Sequence, residues 1–420
     1  MVRWRPYLLG LAGLAAITFP FLWLQLRPDF NDNTIRVAWS PAHGELFFSD
    51  LLPVFVMGLV IWLGIRAGRY WRWSDAFTGS RGWQSTALAW NHYWAWVAMP
   101  LVLGGVFLFD ASNLGILTYA GIYMLLALGL NITVGMTGLL VLGYAGFYAF
   151  GAYFFALGQE NLPYFPWWLA GILAFPFGGL AGYLLGLPCL RLRGDYLAIV
   201  TLGFGEAFRE TIRNFDFTGG DQGIIVKESA RFAAGALGGQ VGYVVTALVL
   251  FLAVFLVQRL YHSPVGRAWV AIRENEIAAA SVGVPVVQMK LLAFSLSAAV
   301  AAVAGVLSGA KDGFVSPAYC EFQQSIMILA MVILGGLGNS YGALLGAALL
   351  DLAPEYLKRL SMLQDNATFT AMVPPFLRDS LAHLPDYRPL LFGAIMVLMM
   401  LYRPQGLLGS SRRKEEILHR

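Results

Sequence analysis

From residue 7 onward, long apolar runs alternate with short polar stretches. The runs fall near 7–26, 49–65, 94–110, 114–134, 136–158, 166–188, 195–212, 241–260, 289–310, 324–338, 340–357 and 388–402. A helix needs about 17–25 mostly apolar residues to cross a bilayer. Helices and closed barrels are the two ways a backbone can satisfy itself without water, and these runs lack the ten-residue polar/apolar alternation of barrel strands. The pattern predicts an all-α polytopic membrane protein with about 10–12 transmembrane helices. The shortest runs, 195–212 and 324–338, fit least well, and the glycine-rich 136–158 also reads as a broken or re-entrant segment.

Composition sharpens this reading. The chain has 420 residues, of which 58% are hydrophobic and 12% charged. Soluble domains carry roughly a quarter charged residues, so a soluble fold is excluded. Cys189 and Cys320 make neither a disulfide framework nor a metal spacing. The histidines, at 43, 92, 262, 383 and 419, lack a ligand pattern, so no metal site is expected. The net charge is only +4, and no Lys/Arg block points to nucleic acid. The start, Arg3 and Arg5 followed by Tyr7 to Leu26, resembles a signal sequence without a small-x-small cleavage site, and reads as a retained first helix.

If the polar loop 261–290 is cytoplasmic and all the runs span, most of the Lys and Arg lie inside, led by Arg66, Arg69, Arg72, Arg81, Arg412, Arg413 and Lys414. The positive-inside rule then puts both termini in the cytoplasm. Tryptophans concentrate before residue 97, and a denser glycine pattern starts near Leu114. We expect a helical region over 1–113 with about three spans, a core over 114–409 and a cytoplasmic tail over 410–420. Within that core, Gly178, Gly182 and Gly186 recur every four residues, as do Ser297, Ala301, Gly305 and Gly309, and Gly338, Gly342 and Gly346. Small residues at this spacing let helix backbones approach closely.

The polar stretch Ser263 to Gly283 stands between two apolar runs. It reads as a short helix with Ala271, Asn275, Ala278 and Val282 on one small-residue face and Arg273, Glu274 and Glu276 around the rest. Such a loop fits either an amphipathic helix on lipid headgroups or a handle for another protein. Its Glu276, Ala278, Ala279 and Gly283 form E-x-A-A-x-x-x-G, which resembles the loop by which permeases of bacterial ABC importers engage their ATPase.

Other candidates are weaker. Asn131, Thr133, Thr137 and Thr201 are polar positions in or beside apolar runs. They either line a pathway or hydrogen-bond across helices. Glu206, Arg209, Glu210 and Arg213 place opposite charges at i, i+3, consistent with mutual neutralisation or with docking. The turn-rich segment with Asp216, Gly219, Gly220 and Asp221 is either a connector or, with Arg209 and Arg213, a contact for an external binding protein. No phosphate-binding loop, dinucleotide fingerprint or catalytic triad can be assembled. No catalytic residue and no cofactor are therefore expected in this chain, and any ATP would be used by partner subunits.

A longer ordered set of motifs spans 115–409. It includes Leu128-Gly129-Leu130-Asn131, Gly135, Gly138 and Gly143-Tyr144, Gly151-Ala152-Tyr153, and Leu190-Arg191-Leu192-Arg193-Gly194-Asp195-Tyr196. It continues with Thr218-Gly219-Gly220, Gly266-Arg267-Ala268, Ala271 to Ala278, Lys290 to Phe294, Gly335-Gly336-Leu337-Gly338 and Arg403-Pro404-Gln405-Gly406-Leu407-Leu408. This set resembles the LivM-type permease of branched-chain amino acid ABC importers. The resemblance implies a bacterial inner-membrane protein, a homologous second permease, two ATP-binding cassette subunits and a periplasmic binding protein delivering Leu, Ile or Val. It also implies that Gly266, Arg267, Ala271, Arg273, Glu274, Glu276, Ala278, Ala279 and Gly283 form the ATPase-coupling loop. Urea and short-amide importers share much of the pattern, and the loop after Gly223 is short for the branched-chain type. An ion-coupled carrier would place charged or other polar groups at mid-membrane, whereas the acids here sit mostly at helix ends. An intramembrane enzyme would need a catalytic pair, and none is evident.

Overall fold

A computed structural model describes residues 25–29, 34–38, 111–162, 165–189, 195–227 and 238–362, together with Phe232, Gly393, Val397, Leu401, Gly406 and Leu407. The chain divides into two units, 1–110 with 354–388 and 111–353 with 389–420. In the first unit, β1 (Gln25–Asp29) pairs antiparallel with β2 (Thr34–Ala38), Arg27 opposite Arg36. The expected helix 7–26 therefore gives way to a strand at Gln25. The rest of that run, 49–65, 94–110, almost all of 388–402 and the tail lie outside the described residues.

The second unit is a helical bundle. Helix α1 (Ala111–Leu130) continues without interruption into a π-helical turn, Asn131–Thr137. It is followed by α2 (Tyr144–Asn161), α3 (Trp167–Cys189), α4 (Asp195–Asn214) and α5 (Gly238–Tyr261). Two short helices, α6 (Pro264–Glu274) and α7 (Glu276–Ser281), then lead into the long α8 (Val286–Asp312). Last come α9 (Phe322–Gly335) and α10 (Ser340–Met362). Among the described residues four helices are long and apolar enough to cross a membrane: 113–137, 167–189, 239–261 and 286–312. The glycine-rich run 136–158 resolves into the end of the π-turn, an irregular stretch and α2.

Helix α8 is the axis of the unit, packed most extensively against α3 and α2. Small residues set that packing. A Cβ at Gly182 would sit 2.5 Å from the Ala298 Cβ, and one at Gly178 would overlap the Ala302 Cβ. On the other side, Gly151 abuts the Ala302 carbonyl and Gly305 the Tyr148 carbonyl so closely that a side chain at either would overlap backbone. Gly178 and Gly182 of the first expected ladder, and Gly305 and Gly309 of the second, are therefore contact positions. The third is not one ladder: Gly342 and Gly346 pack from α10 onto α9, whereas Gly338 lies in the turn before α10 with φ +81°.

At the far end of α8, about 40 Å from its start at 1.5 Å per residue, Gly313 closes the helix in the left-handed conformation. There β4 (Phe314–Val315) pairs with β3 (Ile224–Ile225). The loop helices α6 and α7 thus sit at one end of the bundle, and the segment 216–225 sits at the other.

Candidate coupling site at the loop helices

The stretch expected to be one helix is two. Ser263 caps α6, its side chain accepting the Gly266 N–H at 3.3 Å, with Pro264 preorganised in the first turn. Asn275 then breaks the helix with extended backbone (φ −157°), ends α6 and caps α7. Its Oδ1 accepts the N–H groups of Ile277 and Ala278, both at 3.0 Å. Gly266 is a helical residue rather than a turn. It lies against the Leu260 and Tyr261 carbonyls, where a Cβ has no room. Gly283 does turn the chain, at φ +86° with open space around it, just past the end of α7.

The inner face of the loop is fixed by a residue that sequence reading passed over. Trp269 is completely buried among Leu128, Ile132, Met136, Val257 and Ala293, and its Nε1 donates to the Met289 carbonyl at 2.8 Å. Ile272 and Ala279 are buried on the same side, while Ala271 is half-buried. The 269/272 spacing was the available signal, because i, i+3 places both residues on one helical face.

The charged rim is split. Arg267, Glu274 and Ala278 face solvent, with Arg267 donating to the His262 carbonyl at 3.3 Å. Arg273 and Glu276, expected on the rim, turn into the protein instead. The Glu276 carboxylate accepts from Lys290 at 2.7 Å, where the Lys290 side chain is only 8% exposed. The Arg273 Nη1 donates to the Gly135 carbonyl at 2.5 Å in the π-turn. An uncompensated charge on a packed face would be costly, so both side chains turn toward groups that can neutralise or solvate them.

Three glycines shape the slot that receives Arg273. A Cβ at Gly138 would lie 3.2 Å from the Arg273 Cγ, and one at Gly338 would lie 2.7 Å from its Nη1. The N–H groups of Gly138 and Leu139, and the Thr137 hydroxyl, all return to the Thr133 carbonyl. The Gly135 carbonyl points to the guanidinium. Asn131, fully buried at the head of the π-turn, accepts the Gly338 N–H at 2.9 Å through Oδ1, while its Nδ2 has no hydrogen-bond partner among the described residues.

The other candidate pathway residues are also buried. Thr133 donates to the Leu130 carbonyl at 3.0 Å and lies 3.4 Å from the Ser297 Oγ on α8. Thr201 donates to Ala198 at 2.9 Å and accepts from the Leu142 N–H at 3.1 Å. Within this chain these side chains serve local and interhelical bonding.

At the opposite end, Arg209 pairs with Glu206 at 3.4 Å and with Glu321 at 3.8 Å. Arg213 pairs with Glu210 at 3.2 Å and with Asp221 at 2.9 Å. The Glu321 and Asp221 partners come from outside the helix and had no sequence signal. Asp216 is exposed, Gly219 and Gly220 have positive φ, and Phe217 stands 63% exposed beside them.

One family description, branched-chain amino acid transport system / permease component, matches residues 112–400. The chain belongs to this family. The permease is 40% identical over 331 residues to the high-affinity branched-chain amino acid transport system permease protein LivM of Salmonella typhimurium, covering 73% of this chain and 72% of that one. LivM of Escherichia coli K12 is 40% identical over 342 residues, with 75% and 74% covered. LivH of the same bacterium, a high-affinity branched-chain amino acid transport system permease protein, is 28% identical over 186 residues, 44% of this chain and 52% of LivH. No solved structure matches the permease.

The permease leaves one feature of its loop unexplained by its own packing. Ile277 and Val282, on and just after α7, are 75% and 77% exposed. They flank exposed Ala278 and Ser281 on a helix otherwise held by Glu276 and Ala279.

Proposed function

We propose that this permease works as one membrane-spanning half of an ATP-driven importer, with the α6–α7 loop as the docking handle for its ATPase. The observation that carries this reading is the pair of exposed apolar side chains, Ile277 and Val282, on a loop anchored from beneath by Trp269, Arg273 and Glu276. A headgroup-bound helix would also expose apolar residues. It would not need a fully buried tryptophan and two inward ion or hydrogen-bond anchors to fix its orientation.

The full assembly on this reading contains a second, homologous permease, two ATP-binding cassette subunits that use the ATP, and a periplasmic binding protein. It sits in the bacterial inner membrane, embedded in lipid, with both termini of this chain cytoplasmic. The binding protein delivers Leu, Ile or Val and meets the end carrying Arg209, Arg213, Asp216, Gly219, Gly220 and Asp221, where Phe217 offers an exposed aromatic contact. Closure of the ATPase dimer moves the loop, and the helices packed through Gly151, Gly178, Gly182 and Gly305 carry that motion across the bilayer. Coupling requires the closed ATPases to prefer one permease state over the other.

The test is ATP hydrolysis by the co-purified complex in lipid, with loaded binding proteins added one at a time. Stimulation by a leucine-loaded but not a urea-loaded binding protein is the expected result. Stimulation only by a urea- or amide-loaded one moves the substrate to that class, and ion-driven uptake by this chain alone overturns the importer reading.

A further inference from the structure

We propose that Arg273 is a positioning residue that couples the ATPase-facing loop to the π-helical turn Asn131–Thr137, making that turn the moving part of the permease. The inference rests on the docking reading of α6–α7 and assigns what the loop pushes against.

Three observations converge on it. Arg273 sits at the last turn of α6, beside the Asn275 break, so a load on α7 reaches it over a single intervening residue. Its guanidinium donates to Gly135 inside a slot of three glycines, so it is held by shape as well as charge. The element it grips is itself irregular. A π-helical turn carries an extra residue per turn and is frequent at functional sites, and here it lies between a regular helix and a left-handed Gly138.

The π-turn also holds an unpaired donor. Because the Gly338 N–H requires an acceptor, the Asn131 Oδ1 faces it, which turns the buried Nδ2 away toward no partner among the described residues. A rearrangement that gives Nδ2 an acceptor would satisfy that donor, so a displacement of the turn can be offset by a new hydrogen bond. Elements with two discrete arrangements convert a small displacement at one site into a discrete change at another. Lys290–Glu276 and Trp269–Met289 tie the loop to α8, and the Trp269 ring packs on Ile132 and Met136 of the π-turn, but of these anchors Arg273 is the one that hydrogen-bonds to the backbone of the turn.

The experiment uses the intact complex of permeases, ATPases and binding protein in lipid, comparing Arg273→Ala and Arg273→Lys with the parent. Three quantities are read: retention of the ATPase subunits, substrate taken up per ATP hydrolysed, and hydrogen exchange over 131–140 with and without nucleotide. The expected result for Arg273→Ala is retained ATPase subunits, uptake per ATP lower by about tenfold, and exchange over 131–140 that no longer responds to nucleotide. Arg273→Lys, which keeps a charge and one donor, is expected to fall between the two. Parent-like uptake per ATP, or an unchanged nucleotide response at 131–140, in Arg273→Ala overturns the proposal while leaving docking intact. Retention of the ATPases by Ile277→Asp and Val282→Asp variants counts against the docking reading itself and takes the proposal with it.

Discussion

Glu276 and Lys290 meet at 2.7 Å across the turn between α7 and α8, with the lysine side chain almost wholly enclosed and the carboxylate 39% exposed. The pair locks the α6–α7 loop to α8, the longest of the described helices. Its asymmetry matters, because the lysine depends on the glutamate far more than the reverse.

Glu276→Gln should therefore destabilise the protein by about 2–3 kcal/mol, below the full cost of breaking a completely buried pair because one partner reaches water. Adding Lys290→Met removes the stranded charge and should recover most of that loss. Thermal unfolding of the detergent-solubilised protein, compared across both single variants and the double variant, checks this.

Ile277 and Val282 touch so little of their own chain that Ile277→Asp and Val282→Asp should change stability by no more than about 0.5 kcal/mol. Both should release the ATPase subunits on purification. Unchanged unfolding together with lost co-purification separates a docking surface from a structural one.

The glycines of α3 and α2 are not equivalent. Gly151→Val places a side chain into the Ala302 carbonyl and should cost about 3 kcal/mol or more. Gly171 has nothing within 4 Å of an added Cβ. Gly171→Ala should be neutral or stabilise by up to about 1 kcal/mol through helix propensity. Expression level and unfolding temperature of the two variants distinguish packing glycines from incidental ones.

Cys320, in the short link between α8 and α9, is buried, and burial pushes its thiol up to about 12, with Arg209 opposing and Glu206 adding to the shift. A thiol with a raised pKa stays protonated below that value, and the thiolate is the reactive form. Maleimide at pH 7–8 should leave Cys320 unlabelled in the folded permease and label it after denaturation, as mass spectrometry of the two samples would show.

Much of this was legible in the chain. Long apolar runs marked the spans, small-residue spacing marked the α3–α8 contact, and the ordered motifs from Leu128 to Leu408 pointed to the family. The loop 263–283 was legible as a polar helical segment between two apolar runs, but its internal break was not. Asn275 was counted as one residue of a continuous helical face because its polar side chain fits a surface position as readily as a cap. Nor was the role of Gly266 legible, because its close approach to the Leu260 and Tyr261 carbonyls exists only in the folded backbone.

The sequence by itself determined the class of protein, its helical elements and the location of its loop, because hydrophobic periodicity and local capping act between residues close along the chain. Only the tertiary structure decided which loop charges face solvent and which face the protein. Arg273 finds its acceptor 138 positions away in the π-turn, while Glu276 finds Lys290 only 14 positions on but across the turn between α7 and α8. A charge near a helix break satisfies its pattern equally well inward or outward. What settles its direction is the presence of a neutralising group in space, and that is fixed by how the bundle packs.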